Sequence, residues 1–150
     1  MLTPVKHIPP VLSRIAQTVE EMRKAPQVEC PLTHRFTPGM YVREIFVPKG
    51  TRLVTMIHRT EHPFVVSSGK IAVWCPGDER PHVIEAPYTG ITKPGTLRLA
   101  VALEDTVWTT FHATNKTTPE EVAAEIVFEP TEALISKEIE WHLSQPQLAQ

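Results

Sequence analysis

The sequence predicts an all-β fold, a small jelly-roll barrel of about eight strands with an N-terminal helix and a helical or extended C-terminal arm. Three observations carry this reading. Between Gly50 and Gly69, two short β-type runs, 52–58 and 62–67, flank the polar turn Arg59-Thr60-Glu61. Residues 97–103 alternate cleanly, with Leu97, Leu99, Val101 and Leu103 on one face and Arg98, Ala100 and Ala102 on the other, which is the period of a strand. The 15 prolines stand mainly at the ends of such runs and in the two tails, where a missing N–H costs a sheet least.

The elements follow in chain order. Residues 1–10 carry Pro4, Pro9 and Pro10 and read as an extended arm. Over 11–24, Val11, Leu12, Ile15, Val19 and Met22 recur at helical spacing, and Ala25-Pro26 ends the helix. Strand territory runs over 33–74, with 41–47 β-rich and Pro48-Lys49-Gly50 a turn. In the 52–58 run, Val54, Met56 and His58 share one face; in the next, His62, Phe64 and Val66 do. A turn at Ser67-Ser68-Gly69 leads into the apolar run 70–74, and Pro76-Gly77-Asp78-Glu79 breaks it. Short strands follow at 82–86 and 106–114, the second with Trp108, Thr110 and His112 on one face. Thr118 then caps a helix with Pro119 at its first position and Glu121 completing a capping box. Residues 122–127 fit either more helix or a short strand, 131–143 a second short helix, and 145–150 a polar tail. The expected organisation is an arm and helix over 1–30, a barrel over 31–117 and an arm and tail over 118–150.

Composition narrows the function. A chain of 150 residues with 41% hydrophobic content suits one globular domain. A formal net charge of −2 leaves no electrostatic case for nucleic acid or an anionic membrane. No apolar run approaches a membrane span, and no signal-peptide core opens the chain, so secretion by that route is not expected. Cys30 and Cys75 are too few for a disulfide framework and read as reduced thiols. Glycine-rich phosphate loops, nucleophile elbows and HExxH motifs are missing from the sequence.

The central stretch resembles the first motif of the cupin superfamily, in which a glycine, five residues, His-any-His, three or four residues, Glu, six residues and a glycine follow one another. Here the frame reads Gly50, five residues, Met56-Ile57-His58, three residues, His62, six residues, Gly69. Met56 stands at the first His and His62 at the Glu. A second stretch, Lys93-Pro94-Gly95-Thr96-Leu97-Arg98, partly resembles the second motif, with Gly95 on its glycine, Lys93 on its proline and Arg98 on its histidine. The resemblance spans 35–115 and implies a cupin-like barrel. The stretches HRFTPGMYVREIFVPKGT, IHRTEHPFVVSSGKIAVW and KPGTLRLAVALEDTVWTTFHATN look most like small cupin-type proteins of tailed bacteriophages, which implies a location in a virion or the host cytoplasm.

His58 and His62 are the metal candidates, with His112 or Glu61 as a further ligand, because imidazole suits several first-row metals and a usable site needs a third donor. Met56, Glu61 and Arg98 are expected in the barrel pocket, with Met56, His58 and Arg98 facing inward. Met56 is a poor ligand and Arg98 repels a dication, so Arg98 is expected in an ion pair with Glu44, Glu61 or Glu104. Trp74, Trp108 and Trp141 read as core or interface anchors.

These departures favour a non-enzymatic virion subunit without a cofactor, which associates with itself or with other virion proteins through apolar groups of its arms. Those groups are Val11, Leu12, Ile15, Val19 and Met22 in one arm and Leu134, Ile135, Ile139, Trp141 and Leu143 in the other. The alternative is a metal-dependent enzyme of isomerase or dioxygenase type that uses a divalent metal on His58 and His62.

Overall fold

The structure is a computed structural model and describes residues 17–18 and 20–128. The expected helix over 131–143, the tail, and most of the N-terminal arm and helix lie outside these residues; residues 20–24 are helical. Among the described residues nine strands form two antiparallel sheets. They are β1 (Leu32–Thr37), β2 (Met40–Val47), β3 (Arg52–Val54), β4 (His62–Ser68), β5 (Lys70–Trp74), β6 (His82–Glu85), β7 (Tyr88–Thr92), β8 (Leu99–Ala102) and β9 (Thr106–Ala113). One sheet runs β1-β2-β9-β4-β7 and the other β3-β8-β5-β6. From β2 onward the chain repeatedly crosses from one sheet to the other, which makes a jelly roll.

Strand alternation decides what fills the space between the sheets. Phe64 and Val66 of β4 face Ile71 and Val73 of β5, Ile84 of β6 and Ala100 of β8, all buried, with Leu53 and Trp108 packed against them. Ala100 and Ala102 lie on the buried face of β8, as the alternation requires. The Gly69 turn between β4 and β5 has φ +90, and a Cβ there would run into the Asp105 carbonyl. That turn brings the β8–β9 connection against it.

Two local outcomes differ from the sequence reading. The run 52–58 pairs only over β3; residues 55–57 leave the ladder. Thr55 still accepts from the Arg98 amide through Oγ1 at 3.1 Å and donates its own amide to the Arg98 carbonyl at 2.9 Å. The sequence pattern gives no sign of β7, because Gly90 interrupts its β-formers. Gly90 lies so close to Phe64 that a Cβ would come within 2.7 Å of the ring.

The helix Pro119–Ile126 starts on Thr118, whose Oγ1 accepts from the Glu121 amide at 3.3 Å. Glu121 answers by accepting from the Thr118 hydroxyl at 2.9 Å, so the box closes through side chains. The helix ends at Ile126, and Val127 continues as an isolated bridge. Buried Val122 and Ile126 pack on Tyr41 at one end of the barrel.

Candidate metal centre

Three elements converge at that end. His62 opens β4 on its buried face, and His112 lies near the end of β9 on the same inner surface. Phe64 and Thr110 are register partners, so His62 and His112 stand two residues further along the same antiparallel pair. His58 arrives on the segment that has left the ladder. Its carbonyl accepts from the Gly95 amide at 2.8 Å, and its backbone bridges to Val127. The ring centroids of His58 and His62 are 4.4 Å apart, those of His62 and His112 4.4 Å, and those of His58 and His112 5.1 Å. One nitrogen from each ring lies within 4.8 Å of the others.

Neighbouring groups orient the rings. His62 donates from Nδ1 to the Thr60 carbonyl at 3.2 Å, which leaves its Nε2 lone pair free. His58 donates to the backbone of Met56. His112 Nε2 shares a 2.8 Å hydrogen bond with Thr110 Oγ1. Its Nδ1 is buried and has no partner among the described residues. An orphaned buried nitrogen is costly in a protein interior, and a metal ion would satisfy it. Three imidazoles, each with one nitrogen held by a neighbour, also match the support that metal-bound histidines receive. The residues present therefore fit a divalent metal.

Arg43 and Arg98 place positive charge beside the rings. Burial, then the neighbouring His62 and Arg43, push His58 from 6.5 down to about 4 despite its hydrogen bond to Met56. Burial, then His62 and His58, push His112 down to about 3. Burial also lowers His62, with Arg98 adding to the effect and the Thr60 carbonyl opposing it. All three rings are thus neutral at pH 7 and ready to donate lone pairs.

A cavity of about 180 Å³ opens beside His58 and His62, lined also by Arg43, Arg98, Thr92 and Thr110. Arg98 donates from Nη1 to Thr92 Oγ1 at 3.1 Å and lies over the rings of Phe64 at 5.4 Å and Trp108 at 5.9 Å. A second cavity, between the helix and the sheet, is lined by His112, Tyr41, Glu120 and Val122; His58, Arg43 and Met56 line both.

The remaining expectations fall as follows. Met56 is 40% exposed and sits at the margin of both cavities, not deep inside the barrel, because its segment has left the strand pairing that alternation assumed. Glu61 is exposed and accepts from Lys93 Nζ at 2.9 Å, outside the cavity. The ion pair expected for Arg98 is not formed: Glu44 pairs with Arg35 at 3.6 Å, Glu61 with Lys93, and Glu104 with Lys70 at 3.9 Å. Trp108 stacks on Phe64 at 4.6 Å as a core anchor, while Trp141 lies outside the described residues. Arg43 was not singled out in the sequence, although the alternation of Tyr41, Arg43, Ile45 and Val47 puts it on the inner face.

No protein-family model matches the chain, and no curated protein sequence matches it. Solved structures do. A protein with a double-stranded β-helix domain from Klebsiella pneumoniae has a TM-score of 0.50 and 18% identity, over 67% of this chain and 90% of its own. The fold is cupin-like. A cupin-2 domain protein from Shewanella frigidimarina has a TM-score of 0.45 and 10% identity, over 65% of this chain and 92% of its own. KdgF from a Halomonas species has a TM-score of 0.48 and 19% identity, over 59% of this chain and 84% of its own. No helix among the described residues is long and apolar enough to cross a membrane.

Proposed function

We propose that this cupin-like barrel is a metal-dependent enzyme acting on a small molecule, with a divalent first-row metal held by His58, His62 and His112. The observation that carries the reading is the convergence of three imidazoles, one nitrogen of each within 4.8 Å of the others, at a place where the buried Nδ1 of His112 has no partner among the described residues. Three protein ligands leave coordination positions open, as catalytic sites do and closed structural sites do not. A metal bound there supplies a Lewis acid beside the cavity.

The chain's own residues do the rest. The Thr60 carbonyl and the Thr110 hydroxyl hold His62 and His112 in position. The apolar wall of Leu53, Ile71, Val73 and Ala100 limits water on the far side of the cavity. The motif frame counts Met56 and Arg98 against a metal; His112, which lies outside both motifs, supplies the third donor. The virion-subunit reading depends on arms that lie largely outside the described residues, and no observation within those residues favours it.

Elemental analysis tests the proposal. After loading with zinc, nickel, manganese or ferrous iron and exhaustive dialysis, the protein should retain about one equivalent of at least one metal. A His62→Ala, His112→Ala variant that remains folded should retain none. Failure of the parent protein to retain any of the four would overturn the reading.

A further inference from the structure

The cavity beside the histidines holds two guanidinium groups and no carboxylate. Arg43 lies on the inner face of β2, in register with Thr110 of β9. Arg98 enters from the start of β8, with the Thr92 hydroxyl as its hydrogen-bond acceptor. Both are half-buried. Neither forms an ion pair with an acidic side chain among the described residues, where Glu44, Glu61, Glu85 and Glu104 are taken by other cations on the surface. A desolvated cation without a counter-charge is among the costlier things a fold can keep. Two in one cavity, next to three neutral imidazoles and with no counter-charge among the described residues, make a seat for an anion.

The walls narrow the class of anion. Away from the arginines, His58, His62 and a few threonine hydroxyls, the lining is apolar, with Leu53, Val54, Ile71, Val73, Ala100 and Trp108 among it. A ligand rich in hydroxyls would bury them there without partners. At about 180 Å³ the cavity also lies below the usual span of drug-sized pockets. We infer that the cavity binds a small organic carboxylate, its charged end on Arg43 and Arg98 and its carbon skeleton against the apolar wall. This names the ligand class of the proposed metal site and so rests on that reading, while the guanidinium contacts themselves need no metal.

Calorimetric titration of the full chain tests the inference. The probes are benzoate and butanoate, with inorganic phosphate as the polar oxyanion, each added to metal-stripped and zinc-loaded protein. Saturable benzoate or butanoate binding, tighter than that of phosphate in both metal states, is expected. Arg43→Gln and Arg98→Gln should each weaken it about tenfold or more, the usual scale for losing a charge-assisted bond. The inference is overturned if neither carboxylate binds in either metal state, if phosphate binds more tightly, or if neither arginine variant changes the affinity. His112→Ala separates the two readings, since it should abolish zinc retention and keep arginine-dependent carboxylate binding. Wild-type protein that retains no metal yet binds benzoate through Arg43 and Arg98 would sink the metal reading alone. Thermal melting of ligand-free Arg43→Met guards against a purely structural role. The variant should melt at or above the parent temperature, and a clear drop would mean that Arg43 serves the fold and would overturn the inference.

Discussion

His58 and Val127 are bridge partners: the backbone beside the candidate ligand pairs with the residue that ends the helix Pro119–Ile126. The Arg59 amide donates to the Ile126 carbonyl at 2.7 Å, and the Phe128 amide donates to the Ile57 carbonyl at 2.9 Å. His58 has left its own sheet, so this short pairing and the turn at Gly95 fix its position. Helix and candidate ligand are therefore mechanically coupled.

Ile126→Ala tests that coupling. Ile126 is 3% exposed and packs with Tyr41 and Val122, so its truncation should cost about 2–5 kcal/mol in urea unfolding. It should also weaken zinc binding, although Ile126 touches no metal. Unchanged zinc affinity in a destabilised variant would show that His58 holds its place without the helix.

The pH dependence of metal-free stability has a definite sign. The unfolded chain protonates these histidines near 6.5, whereas folded His58 protonates at about 4 and His112 at about 3. Between those limits the unfolded state binds more protons, so stability rises with pH. The stabilising contribution is complete above 6.5 and drains away as pH falls toward 4 and then 3. Urea midpoints should fall from pH 7.5 to pH 5, and a His58→Gln, His112→Gln variant should show a shallower fall. An equal slope in the variant would assign the effect to other groups.

Two glycines separate strain from collision. Gly69 and Gly77 both have positive φ, +90 and +92, but only Gly69 has backbone where a Cβ would go. Gly77→Ala should cost about 1–2 kcal/mol from the left-handed conformation alone. Gly69→Ala should cost clearly more, because the β4–β5 turn must move off Asp105. Thermal melts of the two variants side by side would decide this, and equal losses would show that the Asp105 contact yields freely.

Much of this arrangement is written in local pattern. Glycine turns and alternation locate β4, β5 and β9 and place the alanines of β8 on the buried face, because those signals need no knowledge of what packs opposite. The pairing of His58 with His62 is legible for the same reason, since three residues and one turn separate them. Non-local facts resist reading. The place of Arg43 beside the histidines depends on the β2–β9 register, and the partner of Arg98 depends on which carboxylates the sheets turn outward. Strand β7 hides behind Gly90, whose missing side chain makes sense only once Phe64 is known to lie against it.

The three imidazoles stand in the wall between two cavities, with His62 lining one, His112 the other and His58 both. The site is thus a partition with unlike rooms on its two sides. The room inside the barrel offers Arg98 and hydrocarbon, the one under the helix offers Tyr41 and Glu120, and Arg43 borders both. Evolution can also retune either room alone. Changes at Glu120 or Val122 reach His112 and Arg43 but not Arg98, whereas Thr92 and Leu53 line only the room inside the barrel.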